Sequence, residues 1–218
     1  MTVMQSIQSR VAPGRIQDAI GLAHETEKVC ERYGAEVRLL APSVAGEATG
    51  ADLTLTIEVA DLDAFATFAD GAGNDPDVQS LQMRVMEANS PVTIVNQSLI
   101  VEIPRGKAPA PGRGNTVEVY VSKPLPGQYE KAVEDGIIAC EVVEKAGAMN
   151  ARIGTINFSG LGQGLTIASW EWADAKAFVK GFKVWETDKK AKALSERSLG
   201  ANPSSTLFWS GLLQVIPL

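Results

Sequence analysis

Between Asp52 and Val59 the chain alternates strictly. Leu53, Leu55, Ile57 and Val59 are apolar, with polar residues between them, the period-two pattern of a half-buried strand. Val3–Val11 and Val117–Lys123 are short alternating or β-branched runs and predict two more strands. Further strands are expected over Glu36–Leu40, Thr93–Ile103 and Thr206–Ile216. Elsewhere the period lengthens. From about Arg15 to Tyr33, and again from Gln128 to Ala146, apolar residues recur at three- and four-residue steps, which predicts two amphipathic helices. Gly34 and Gly147 stand where a glycine is expected after a helix. Asp61 and Asp174 suit the N-cap of a second pair of helices, carrying Phe65 and Phe68 or Phe178 and Phe182. Asp75 before Pro76 suits one further helical start.

These elements are written twice. Sliding the chain by the 113 positions that separate Gly14 from Gly127 superposes Pro13 on Pro126, Gly34 on Gly147 and Glu58 on Glu171. Ala64-Phe65 then meets Ala177-Phe178, and Ile103-Pro104 meets Ile216-Pro217. Roughly a fifth of positions are identical without a gap, the mark of an internal repeat. The order β-α-β-β-α-β, twice, predicts an α+β fold of two tandem ferredoxin-like repeats, residues 1–104 and 116–218. Residues 105–115 (RGKAPAPGRGN), rich in Pro, Gly and Arg, read as an extended linker that builds no core. The second copy's last strand is apolar on both sides at Leu207, Phe208 and Trp209, so both its faces should be covered. The simplest cover is the first copy's sheet, giving a pseudo-dimer inside one chain.

The element order, and the segment DLDAFATFADGAGNDPDVQSL (Asp61 to Leu81) in particular, resembles the dimeric α/β-barrel superfamily. That group includes small antibiotic-biosynthesis monooxygenases, NIPSNAP-type proteins, haem-degrading enzymes and chlorite-dismutase relatives. The resemblance covers both copies and implies an intramolecular dimeric α/β barrel with ligand pockets between helices and sheet. It carries no family catalytic residue onto this chain.

Composition narrows the partners. A formal charge of −6 over 218 residues, with no clustered basic face, argues against nucleic acid. No apolar run reaches membrane-spanning or signal-peptide length, so a cytoplasmic protein with no membrane partner is expected. Cys30 and Cys140 lie at non-equivalent helical positions among apolar neighbours and read as buried free thiols.

Where the copies differ, one half departs from plain packing. His24, the chain's one histidine, stands on the core-facing stripe of the first helix where the second copy has Ile137, and Glu27, three residues on, stands where the second copy has Cys140. Such a pair could act as a base with its orienting carboxylate. The alternative is a small rotation of the helix that puts both in water and turns Ala19, Ala23 and Cys30 inward. Ser6 and Gln8 replace Val119 and Val121, Thr54 replaces Ile167, and Asn96 replaces Trp209. With His24 and Glu27 as catalytic candidates, Ser6, Gln8 and Asn96 would hold a substrate's oxygens. The alternative for these three is solvent exposure or a buried hydrogen-bond network.

All four tryptophans lie in the second copy. Trp170 and Trp172 share one strand face, with Phe158 near by, and could wall a site for a ring-shaped ligand or fill core. The loops 42–51 and GLGQG (160–164) read as flexible connections, each a candidate lid, and the latter lacks the helix a phosphate loop needs. Glu58 and Glu171 recur in both copies and suggest structural pairing with the recurring Arg84 and Arg197. One histidine and no cysteine cluster give no metal site. No cofactor is called for; haem through His24 is conceivable from the resemblance alone. The function expected is a cofactor-independent monooxygenase or isomerase acting on a partly aromatic small molecule. The alternative is a non-catalytic, stress-response-type barrel that binds a ligand. A further homodimer is compatible with either.

Overall fold

The computed structural model describes residues 1–43, 51–160 and 162–218. The first lid candidate, apart from its ends, and Leu161 of the second lie outside the described residues. The first half runs β1 (Val3–Val11), α1 (Ile16–Glu31), β2 (Glu36–Pro42), β3 (Leu53–Val59), α2 (Leu62–Gly73), α3 (Pro76–Met86) and β4 (Val92–Glu102). The second runs β5 (Thr116–Pro124), α4 (Tyr129–Lys145), β6 (Met149–Ser159), β7 (Thr166–Trp172), α5 (Ala175–Phe182), α6 (Val184–Thr187), α7 (Lys189–Leu199) and β8 (Ser205–Ile216).

Local chemistry sets the boundaries. Gly34 and Gly147 adopt φ of 75° and 100°, the left-handed conformation that releases the chain from α1 and α4. The carboxylates of Asp61 and Asp174 accept from the amides of Ala64 and Ala177, each at 2.8 Å, and so cap α2 and α5. Asp75 caps α3 through the Asp77 amide, with Pro76 in the first turn.

The strands close into one antiparallel barrel in the order β1-β3-β2-β8-β5-β7-β6-β4. The halves do not stack one sheet on the other. They zip together edge to edge, through β2 against β8 (Leu39 opposite Ile216) and β4 against β6 (Ser98 opposite Ser159). Closure leaves no strand edge unpaired, which removes the usual route to edge-to-edge aggregation.

Side chains alternate across the barrel wall, so each strand supplies both the lumen and an outer core. Leu53, Leu55 and Ile57 point out to α1 and α2, where they pack with Ala19, Ala23, Phe68 and Ala72. Trp170 and Trp172 point out to α4, α5 and α7 and pack with Ala139, Cys140, Val143 and Leu194. The two thiols are free and buried.

The linker contradicts the expectation that it builds no core. Arg105 is only 1% exposed and donates to Glu144 of α4 at 2.6 Å. Arg113 turns its guanidinium inward, where Glu36, Glu58 and Glu171 converge on it. Gly114 lies so close to the backbone of Trp172 that a Cβ would stand 2.1 Å from its carbonyl oxygen. Proline and glycine exclude regular structure here, but the Arg105 side chain and Gly114 are buried.

Candidate functional site

Three cavities follow from this layering. The lumen holds about 350 Å³ and is lined by inward residues of both halves. A first cleft, about 620 Å³, lies between the outer face of the first half's strands and helices α1 to α3. A second, about 660 Å³, lies between the outer face of β5, β7 and β8 and helices α4 to α7.

The sequence candidates separate among these places. Ser6, Gln8, Thr54 and Asn96 all face the lumen, and so do Val119, Val121, Ile167 and Trp209 at the matching positions of the second half. Asn96 Nδ2 donates to Gln8 Oε1 at 3.1 Å and to Ser98 Oγ at 3.2 Å, so these polar groups form one network. His24 and Glu27 are elsewhere. They pair at 3.0 Å on the outer side of α1, the imidazole side chain 45% exposed, and line none of the three cavities. The expectation that His24 lies on the core-facing stripe is overturned. Ala19, Ala23 and Cys30 take the buried face, as the rotated alternative has it. The barrel wall therefore stands between His24 and the lumen set, and they do not form one site.

Glu58 and Glu171 are paired, but not with Arg84 and Arg197. Glu171 accepts from Arg38 at 2.6 Å, Arg113 at 2.9 Å, Asn150 at 2.7 Å and the Gly114 amide at 2.7 Å. Glu58 accepts from Arg113 at 3.0 Å and also pairs with Arg152. Arg84 pairs with Glu25, and Arg197 with Asp135. The recurring glutamates face the lumen and the recurring arginines lie on outer helices, so the barrel wall keeps them apart. Burial alone would push the Glu171 carboxyl up, but Arg38, the Gly114 amide and Asn150 outweigh it and hold it below the usual range. Because Arg38 and Glu58 come from one half and Arg152 and Glu171 from the other, these pairs also bolt the halves together.

The second cleft combines aromatic walls with a charge. Trp170 and Trp185 line it with Tyr120, Phe182 and the hydroxyls of Ser198 and Ser204. Tyr120 stacks on Trp170 with centroids 5.3 Å apart, and Trp185 leans on Trp170 at 6.4 Å. Beneath them, on β5, the buried carboxylate of Glu118 accepts from Trp170 Nε1 at 2.6 Å, Trp172 Nε1 at 3.0 Å and the Tyr120 hydroxyl at 2.8 Å. Burial, and then the Glu118 charge, push the Tyr120 phenol well above its ordinary value, so it stays protonated as a donor. Trp172 belongs to the core beneath this wall, and does not line the cleft. Phe158, expected beside the tryptophans, is 68% exposed on β6 and plays no part in that cluster.

Asp135 is the one charged side chain lining this cleft among the described residues. Its oxygens accept from Arg197 Nη2 at 2.5 Å and Ser204 Oγ at 2.7 Å, which orient it at the edge of the cavity. The comparison of copies that singled out His24 applies equally to Asp135, which stands where the first half buries Leu22. Among the described residues the first cleft has no carboxylate, imidazole or basic group in its lining; the one ionisable group among them, Cys30, has its thiol pushed up by burial to about 11.

Neither a metal nor haem finds an obvious holder. The described residues contain no group of three His, Cys, Asp or Glu side chains placed to bind a metal ion. Haem would need His24 turned into a cavity, whereas its ring lies outside all three and Nδ1 faces Glu27. No helix among the described residues is long and apolar enough to cross a membrane.

No family model matches the chain, and no curated protein matches it by sequence. Solved structures do match in shape. An anthrone oxidase-like protein superposes with a TM-score of 0.61 at 13% identity, covering 99% of this chain and 91% of its own. A candidate monooxygenase from Fusobacterium nucleatum gives 0.60 at 13% identity, with 99% and 93% covered. A mutant chlorite dismutase from Candidatus Nitrospira defluvii, crystallised with cyanide, gives 0.56 at 10% identity, with 99% and 91% covered. At 10–13% identity the likeness is one of fold, that of the closed α/β barrel described above.

Proposed function

We propose that the chain is a tandem duplication of a ferredoxin-like unit that binds a partly aromatic organic molecule in its second cleft and oxidises it, as a cofactor-independent monooxygenase-type enzyme. The observation that carries this reading is that Trp170 and Asp135 line the same cavity. Its volume lies in the range of small-molecule sites and suits a two- or three-ring ligand. Ring faces would stack along Trp170 and Trp185, with Asp135 at the edge of the cavity. The names of the anthrone oxidase-like and monooxygenase neighbours agree with such chemistry.

In this reading the Asp135 carboxylate accepts a proton from a carbon acidified by a neighbouring carbonyl. The electron pair left on that carbon attacks dioxygen, which is reduced, and the returning proton gives a hydroperoxide. Loss of water leaves a ketone, so a CH₂ group and O₂ become C=O and H₂O. His24 has no part in this scheme.

Oxygen uptake with anthrone as substrate tests it. Wild-type protein should consume oxygen, Asp135→Asn should lose roughly 100-fold or more of the rate while still quenching tryptophan fluorescence on binding, and His24→Ala should keep its rate. Full activity in Asp135→Asn would overturn the assignment. Binding without oxygen uptake in the wild type would favour the non-catalytic reading, to which the uncharged lining of the first cleft already conforms.

A further inference from the structure

An eight-stranded barrel has an interior just wide enough for side chains to fill or for one small ligand. Here half the wall declines to fill it. Ser6, Gln8, Thr54 and Asn96 project inward where the second half presents Val119, Val121, Ile167 and Trp209. The second half shows that this fold accepts large apolar side chains at those positions, so the fold itself does not require the polar ones. Polar groups inside a barrel lower stability unless they are hydrogen-bonded, and a rule broken on one wall only points to function. Gln8 and Asn96 are bonded into a single network with Ser98 and Ser159. Ser98 Oγ donates to Ser159 Oγ at 3.0 Å, Ser159 Oγ donates to Asn96 Oδ1 at 3.2 Å, and the Gly162 amide donates to Ser159 Oγ at 3.0 Å.

We infer that the lumen is a second ligand site, distinct from the outer clefts. It takes an uncharged molecule of about one ring with hydroxyl or carbonyl groups along one edge and an apolar opposite edge. Size follows from the cavity of about 350 Å³, room for about a dozen waters. Neutrality follows from the charges present. Arg38, Arg113 and Arg152 at the lumen's end are engaged by Glu36, Glu58 and Glu171, three cations against three anions, and the network wall carries no charge. The amphipathic edge follows from Gln8, Asn96 and Ser98 on one side and Val119, Val121 and Leu213 on the other. Because the lumen shares no lining residue with the second cleft, this inference stands apart from the oxidase reading.

The test is a solution NMR titration of the full chain with three neutral probes, 4-hydroxyacetophenone, benzamide and phenol, and with 4-hydroxybenzoate as the charged control. At least one neutral probe should shift the side-chain amide signals of Gln8 and Asn96 saturably at millimolar concentration, leaving the Trp170 and Trp185 indole signals in place. The charged control should bind at least several-fold more weakly. Gln8→Val and Asn96→Leu, which copy the apolar character of the second half, should each weaken binding about tenfold. If either variant misfolds, Thr54→Ile with the wild-type shifts decides. Absence of shifts with all three probes, shifts confined to Trp170 and Trp185, equal binding of the charged control, or unchanged affinity in the folded variants would each overturn the inference.

Discussion

Replacing Glu118 probes the wall on which the proposed ligand stacks. Its carboxylate is 4% exposed and accepts three hydrogen bonds, two from indoles and one from a phenol. In Glu118→Leu all three donors lose their acceptor. The Tyr120 hydroxyl borders the cleft and can turn to water, but the indole N–H groups of Trp170 and Trp172 are enclosed. A buried donor left unpaired costs about 1–3 kcal/mol, so two cost about 2–6 kcal/mol. Removing a buried charge returns part of this, leaving a net loss of about 3 kcal/mol. Glu118→Gln keeps one acceptor oxygen for the indoles, and its amide nitrogen can donate to the phenol oxygen. What it loses is charge assistance, about 1 kcal/mol. Urea unfolding followed by tryptophan fluorescence measures both. With a slope of about 3 kcal/mol per molar, the leucine variant should lower the midpoint by about 1 M and the glutamine variant by about a third of that. Equal midpoints for leucine and wild type would refute the claim that this carboxylate holds the aromatic wall.

Other consequences can be checked independently. Burial pushes the thiols of Cys30 and Cys140 up to about 11 and about 12, so neither should react with a disulfide reagent near pH 8 until urea exposes them. Since those folded values exceed the unfolded ones, their share of stability is complete below the ordinary thiol pKa and is lost as pH rises towards the folded values. Glu171 and Glu144 are held below the usual carboxylate value, so their share is present above about pH 4.5 and is lost as pH falls through their lowered values. Urea midpoints should fall in that acid window, and less steeply in Arg38→Met, where Glu171 loses its strongest cation. Gly114→Ala should cost about 3 kcal/mol by thermal denaturation, because the new Cβ meets the Trp172 backbone and no side chain can swing away.

The fold was legible because its signals are local and doubled. Alternation in β3, the aspartate caps of α2 and α5 and the glycines after α1 and α4 recur at one fixed offset, so each half corroborated the other. How the halves meet was less legible. The apolar run at Leu207 to Trp209 suggested stacked sheets, yet the same pattern serves a closed barrel whose lumen and outer clefts both need apolar groups. The site split along what periodicity can resolve. Strand facing has a period of two, which allows no intermediate, and Ser6, Gln8 and Asn96 shared a side as their alternation implied. Helix facing is continuous, and a modest turn of α1 was enough to carry His24 to the surface. Asp135 escaped notice because an aspartate on a helix ordinarily reads as solvated. Only its match to buried Leu22 set it apart, and only packing brought Arg197 and Ser204 to it.

A crystal structure with anthraquinone, the ketone the proposed oxidation would yield, addresses the second cleft most directly. The account predicts ring density stacked on Trp170 and Trp185 with one edge at Asp135. Density in the first cleft alone, or none at saturating ligand, would contradict it.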